Sequence, residues 1–219
     1  MQKSLKPTTA VAQSLPKPKA VLFDLDGTLV ESTLDFNFLK QNFDIQPGQD
    51  VLQFISNLPS DEKHRANELI ETHELEDAQR AKTLPGALDL LLALNRAGIP
   101  TAIITRNSRK AAKIKIENNS LPIEFLISRE DAKPKPNPEA LLALAESWQV
   151  EPKDCWYIGD YLYDLQAANN AGMVAGLYTG SHLEESRYSA FMHLADIVFN
   201  DHDQLRDAWE EMDYLCIKN

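Results

Sequence analysis

The sequence predicts an α/β fold: a parallel sheet with helices on both faces, interrupted by a small helical insert. Short apolar runs alternate with helical patterns along most of the chain, the signature of strand–helix–strand units. The runs are continuously rather than alternately hydrophobic, as strands buried on both faces should be. From about residue 32 to residue 82 the alternation stops and no strand pattern is present.

The elements follow in order. Ala20-Val21-Leu22-Phe23 reads as the first strand, preceded by Ser14-Leu15-Pro16-Lys17-Pro18-Lys19, a Pro- and Lys-rich stretch expected to be a mobile lead-in. In the insert, Ser60-Asp61-Glu62 is a helix start with acidic residues favoured by the dipole. Ala66, Leu69, Ile70 and His73 then recur at helical spacing, and the acidic stretch 68–76 reads as that helix's solvated face. Leu84-Pro85-Gly86 returns the chain to the core. Residues 86–97 read as a helix stopped by Gly98, with Leu88, Leu91, Leu92 and Asn95 on one face. Residues 99–105 are a β-branched strand, and 108–118 a helix capped by Ser108. A strand over 123–128 is followed by a helix over 138–148 with Pro138 in its first turn. The strand 155–159 precedes a helix over 161–171 that ends at Gly172. Strands over 173–178 and 197–199 and a closing helix over 204–213 complete the chain. The expected organisation is a lead-in over 1–18, a core over 19–31 and 83–219, and the helical insert over 32–82.

With 219 residues, 43% of them hydrophobic, the chain is long enough for one large packed core plus a small insert. The formal net charge of −11 argues against a nucleic-acid polymer or an anionic membrane as partner. It does not exclude a small phosphate ester, because a metal and a few cations can reverse the local sign. No stretch is apolar enough to span a bilayer, and residues 1–19 lack the apolar region of a secretory signal. Cys155 and Cys216 do not make a disulfide framework, and Cys155 reads as a small buried hydrophobe. A reducing cytoplasm is the expected location.

Chemistry concentrates at the predicted strand ends. Asp24-Leu25-Asp26-Gly27-Thr28 puts two carboxylates where the first strand stops. Asp24 is the candidate nucleophile, since a carboxylate can split a hard displacement into two through an aspartyl-phosphate. Asp26 is the candidate acid–base, protonating the leaving oxygen and then deprotonating water. Gly27 permits the sharp turn, and the Thr28 hydroxyl is expected to tie it down. Thr105, with the backbone amides of Arg106 and Asn107, is placed to hold phosphoryl oxygens. Like charges about 4 Å apart repel by about 4 kcal/mol at an effective dielectric of about 20. A phosphate approaching Asp24, Asp160 and Asp164 therefore needs compensation, for which Mg²⁺, a hard ion taking oxygen ligands, is suited and to which Lys135 adds. Taken singly, each motif has a plainer reading: a strand-to-turn exit at Asp24, a strand-end residue at Thr105, a solvated basic spot at Lys133 and Lys135, a turn and helix surface at Asp160 and Asp164. Their joint occurrence, in this order and each near a strand end, argues for a site.

On these residues the chain resembles the haloacid dehalogenase-like hydrolase superfamily. Its first motif matches Asp24-Leu25-Asp26-Gly27-Thr28 and its second Thr105 after Ile103-Ile104. The third matches Lys135-Pro136-Asn137-Pro138-Glu139, and the fourth Gly159-Asp160 with Asp164. The resemblance, over roughly residues 19–200, implies a Rossmann-like core with the insert as a mobile helical cap. It also implies Asp24 as nucleophile, Asp26 as acid–base and Lys135 as charge neutraliser, with Lys133 the alternative. Asp160 would be a metal ligand, Asp164 a second or outer ligand, and the backbone carbonyl of Asp26 a further Mg²⁺ ligand.

The layout is similar to the phosphoglycolate phosphatase group, with departures. The insert is short for that group, and Tyr161 stands where a small residue is common. Arg106 follows Thr105, either to grip a substrate carboxylate or phosphate or to lie on a solvated loop. The expected partner is a small phosphorylated metabolite, phosphoglycolate first, with sugar phosphates and nucleoside monophosphates open, and the expected state a monomer or homodimer. A phosphomutase of the β-phosphoglucomutase type is the alternative activity. A dehalogenase would need neither Asp26 nor a metal, and a non-catalytic relative should have lost one of these residues. There is no Gly-x-Ser-x-Gly elbow and no phosphate loop. The five histidines form no zinc signature; surface or packed positions suit them, with His73 able to approach the site if the cap closes.

Overall fold

The computed structural model describes residues 15–34, 36–46, 49–180 and 185–216. The chain begins with β1 (Ala20–Phe23), whose four residues are all buried. Three helices of the insert follow: α1 (Phe36–Asn42), α2 (Val51–Ser56) and α3 (Ser60–Arg80). The core continues with α4 (Ala87–Arg96), β2 (Thr101–Ile104), α5 (Arg109–Asn118), β3 (Phe125–Ile127) and α6 (Glu139–Ser147). It closes with β4 (Cys155–Gly159), α7 (Leu162–Ala171), β5 (Val174–Tyr178), the short α8 (Glu185–Tyr188), β6 (Ile197–Phe199) and α9 (His202–Cys216).

The six strands form one sheet in the order β3-β2-β1-β4-β5-β6, and every pairing is parallel. Leu22 sits opposite Ala102 on one side and Tyr157 on the other, so β1 is central. Successive side chains leave a strand on opposite faces. Val21 and Phe23 accordingly join the core layer of Leu90, Leu91, Leu94, Trp156 and Trp209. Ala20 and Leu22 join the other layer, with Leu141, Leu144, Tyr157 and Leu165. Burying each such leucine is worth about 2 kcal/mol. The strand order grows outward from β1 in one direction and from β4 in the other, and ligands bind such sheets at the carboxyl ends beside that switch.

The insert has its own apolar cluster of Ile45, Val51, Ile55, Ala66 and Ile70. Its entry and exit run side by side: Glu31 N–H donates to Lys82 O (2.8 Å) and Leu84 N–H to Leu29 O (2.9 Å). The buried face of α3 begins at Ala66 and Ile70 as its periodicity predicts, then continues through Glu74, Asp77 and Ala78. The expectation that 68–76 is a solvated face therefore fails at Glu74, which is buried because Arg129 of the core pairs with it. The face of α4 is also corrected. Ala87, Leu90, Leu91, Ala93 and Leu94 are buried, whereas Leu92 is exposed. Leucines surround this helix, so hydrophobicity alone does not set its phase; the small alanines let it approach the sheet.

The lead-in is expected to be mobile, but its described part is laid on the core. Leu15 packs against the first layer, Pro18 is buried, and Trp156 Nε1 donates to Pro16 O (3.1 Å). Residues 1–14 lie outside the described residues, as does His182. Cys155 is buried in β4 and burial pushes its thiol up to about 11, which fits an inert core residue. No helix among the described residues is long and apolar enough to cross a membrane.

His202, at the start of α9, is fully buried, and its two ring nitrogens face Pro85 O (2.9 Å) and Thr28 O (2.8 Å). It clips the turn after β1 to the segment before α4. His202→Ala should remove the one ring N–H shared between these carbonyls, leave a cavity and lower the unfolding free energy by about 2–4 kcal/mol, read from the urea midpoint.

Candidate active site

β1, β2 and β4 end side by side, and the residue after each carries a polar side chain: Asp24, Thr105 and Asp160. All three line a cavity of about 400 Å³, together with Asp26, Arg106, Asn107, Lys135 and Asp164. The cavity thus gathers the candidate catalytic, phosphate-holding and metal-ligating residues, but not Lys133. Lys133 is exposed and pairs with Glu139 (3.3 Å), whereas Lys135 is buried.

Lys135 Nζ donates to Asp24 Oδ1 (2.6 Å), Asp164 Oδ1 (2.6 Å) and the Ile104 carbonyl (3.2 Å). Asp164 also accepts from the Tyr157 hydroxyl (3.1 Å) and, through Oδ2, from the Tyr161 N–H (3.1 Å) at the start of α7. Asp160 Oδ2 accepts from Arg187 (3.0 Å). Asp24, Asp160 and Asp164 each offer an oxygen within 4.8 Å of the others, so these three could hold a metal ion. The carboxylate of Asp26 is not in that group. It accepts from Asn107 Nδ2 through one oxygen and from Lys115 Nζ through the other.

The electrostatics are those of acids short of cations. Burial, opposed by Lys135 and reinforced by Asp164 and Asp26, pushes the Asp24 carboxyl up to about 7. Burial also holds Asp160 well above the usual carboxylate range, with Asp164 and Asp24 adding to it. Asp26 is raised by burial against the pull of Lys115. Burial works against the Lys135 ammonium, but Asp164 and Asp24 more than offset it and keep it charged. Lys135 and the partly exposed Arg187 among three carboxylates still leave a net negative centre, which a hard dication suits and which otherwise retains protons.

The turn after β1 is held by its backbone. Gly27 N–H donates to Val30 O (2.8 Å), and Leu29 and Val30 N–H both donate to Leu25 O. The Thr28 hydroxyl, expected to tie this turn, is buried without a hydrogen bond to any described residue; His202 binds the Thr28 carbonyl instead. Asn107 N–H donates to Thr105 Oγ1 (3.2 Å). Arg106 is not on a solvated loop: it grips Asp50 of the insert through both carboxylate oxygens (2.7 and 2.6 Å) and lies 4.9 Å from the Tyr163 ring centroid. Tyr161 is exposed, edge-on to Tyr163 and Phe191. His73 lies 5.7 Å from the Phe38 ring within the insert.

Sequence reasoning missed Lys115, Asp77, Asp50 and the Glu74–Arg129 pair. Lys115 is fully buried between Asp26 and Asp77, whose Oδ2 it meets at 2.6 Å. Its position was readable: it continues the buried stripe of Ala111 and Ala112 on α5. Asp77 likewise continues the stripe of Ala66 and Ile70.

A family model described as haloacid dehalogenase-like hydrolase matches residues 18–172. The chain is 32% identical over 183 residues to hexitol phosphatase A of Escherichia coli (strain K12), covering 75% of this chain and 81% of that protein. It is 28% identical over 183 residues to a phosphoglycolate phosphatase of Vibrio vulnificus (strain YJ016), covering 70% of this chain and 80% of that protein. The crystal structure of a hydrolase from Pseudomonas syringae superposes with a TM-score of 0.71 at 22% identity, over 90% of this chain and 99% of that one. At that identity the likeness is one of fold.

Gly27 has φ +73°, and a Cβ there would lie 2.6 Å from Asp160 Oδ2. Gly27→Ala is expected to destabilise the fold by about 1–3 kcal/mol in urea unfolding, through a left-handed alanine pressed on an acid.

Proposed function

Because the chain belongs to the haloacid dehalogenase-like hydrolase family, we propose that it is a Mg²⁺-dependent phosphatase acting on a small phosphate monoester through an aspartyl-phosphate on Asp24. The observation that carries this reading is the pairing of two adjacent acids with separate cations. Asp24 is fixed by Lys135 inside the acidic group, while Asp26 is turned onto Lys115 and Asn107. Two carboxylates two residues apart are thereby given different surroundings, as a nucleophile and an acid–base require.

In the first step Asp24 Oδ attacks phosphorus, the ester P–O bond breaks, and Asp26 delivers a proton to the departing oxygen. Water then attacks the aspartyl-phosphate, Asp26 takes its proton, and the bond from phosphorus to Asp24 breaks to release phosphate. Lys135 neutralises charge beside the nucleophile, and Thr105 with the Arg106 amide holds phosphoryl oxygens, while the Asn107 N–H is occupied by Thr105 Oγ1. Asp24, Asp160, Asp164 and the Asp26 carbonyl would hold Mg²⁺, which when bound supplies charge neutralisation and Lewis-acid polarisation of the phosphoryl group. Residues 32–82 serve as the cap over a core of 19–31 and 83–219. Leu34, Val51, Leu52 and Ile70 of that segment line the cavity with Asp50 and Glu74, so the cap helps to choose the leaving group. The relatives with known names point to phosphoglycolate-like or sugar phosphates.

Asp24→Asn should abolish phosphate release from a panel of such esters with Mg²⁺ while leaving the circular dichroism unchanged; turnover like that of the unaltered protein would remove Asp24 as nucleophile. Isomerised sugar phosphate in place of free phosphate would instead mark a mutase. A second prediction concerns the metal. Asp24 and Asp160 have raised pKa values, so the folded, metal-free protein holds protons that the unfolded chain has lost. Their contribution to the stability of that form should fall as pH rises from about 4 to about 7. Mg²⁺ must displace those protons, so its affinity should rise with pH. The increase in Tm on adding Mg²⁺ is expected to be larger at about pH 8 than at about pH 6, and to shrink in Asp160→Asn.

A further inference from the structure

We propose that Lys115 is a positioning residue: it aims the carboxylate of Asp26 for proton transfer and ties that aim, through Asp77, to the seating of the helical insert. The inference rests on the acid–base reading of Asp26. Lys115 is fully buried, and an ammonium taken out of water is strongly disfavoured unless partners surround it. Its partners come from two places. Asp26 belongs to the turn after β1, and Asp77 to the last turns of α3. Burial works against the Lys115 ammonium, but the two carboxylates outweigh it and keep it charged.

The consequences for Asp26 are geometric. One oxygen meets Lys115 and the other Asn107, so both are claimed by donors and the side chain is held in one orientation. Without Lys115, the Asn107 amide would be the remaining hydrogen-bond partner of this carboxylate among the described residues. Asp77 in turn is a junction. Its Oδ1 accepts from the backbone N–H and the hydroxyl of Thr33 (2.7 Å each), and Ser32 Oγ lies 3.4 Å from its Oδ2. Thr33 and Ser32 are the residues by which the chain leaves the core for the insert. Lys115 itself sits on α5, against which α3 packs. A shift of α3 along α5 moves Asp77, and with it the ammonium that holds the acid. The acid is set for transfer only while the insert is seated.

A lysine that merely stabilises the fold and one that aims an acid are separated by the leaving group. p-Nitrophenolate departs without a proton, whereas the alkoxide of glycerol 1-phosphate needs one. The test uses the full chain with Mg²⁺ and the variant Lys115→Met. kcat/KM for glycerol 1-phosphate should fall about 100-fold, and for p-nitrophenyl phosphate less than about 5-fold. Because water attack on the aspartyl-phosphate also needs Asp26, kcat for p-nitrophenyl phosphate should drop and a burst of p-nitrophenol should appear. Lys115→Arg should restore part of the loss with glycerol 1-phosphate. If Lys115→Met does not fold, Lys115→Met with Asp77→Leu removes the ion pair without leaving Asp77 charged and alone, and should show the same imbalance.

Asp26→Asn separates the two layers of argument. If it shows the imbalance and folded Lys115 variants lose both substrates equally, or lose neither, the Lys115 role is overturned while the acid–base reading stands. If Asp26→Asn itself treats both esters alike, the reading of Asp26 falls and this inference falls with it.

Discussion

Everything in this molecule depends on how negative charge is contained at the end of a buried parallel sheet. Asp24, Asp160 and Asp164 are brought within 4.8 Å of one another where the strands stop, with Asp26 two residues from the first. Such a group cannot be fully ionised in a dry site without cations. The fold answers with two buried lysines drawn from distant segments. Lys135 is assigned to Asp24 and Asp164, and Lys115 to Asp26 and Asp77. Neighbouring acids are thereby kept electrostatically distinct, which is the physical condition for giving them different chemical tasks.

The insert is joined to this arrangement by charge rather than by a shared apolar core. Its hydrophobic cluster is its own, while its links to the catalytic side run through Asp50 to Arg106, Glu74 to Arg129, and Asp77 to Lys115. Lys115 and Asp77 are almost fully buried, as is Glu74, so parting these pairs would leave charges without partners in a dry setting.

Much of this was legible in the sequence, for local reasons. β1, β2 and β4 are runs of four or five largely apolar residues whose continuity announces burial on both faces, and the polar residue that follows each is visible at once. Asp24, Thr105 and Asp160 are therefore placed at one edge by the sequence itself. Lys135 could be named but not told apart from Lys133, because the choice depends on which ammonium reaches back 111 residues to Asp24. Lys115, Asp50 and Asp77 were missed for the same reason. Their partners are 38 to 89 residues away, and a charged residue on a helix reads as solvated until its partner is found. The phase of α4 failed differently, since leucines on every side leave small residues, not hydrophobicity, to choose the face.

The clip made by His202 has a consequence for biosynthesis. It binds Thr28, 174 residues earlier in the chain. At a ribosomal rate of about 5–20 residues per second, roughly 10–35 s separate the emergence of the two. During that interval the turn that carries Asp24 and Asp26 lacks its final brace. The turn gains that brace only when the start of α9 arrives, so the order of translation leaves the end of β1 unbraced until late in synthesis.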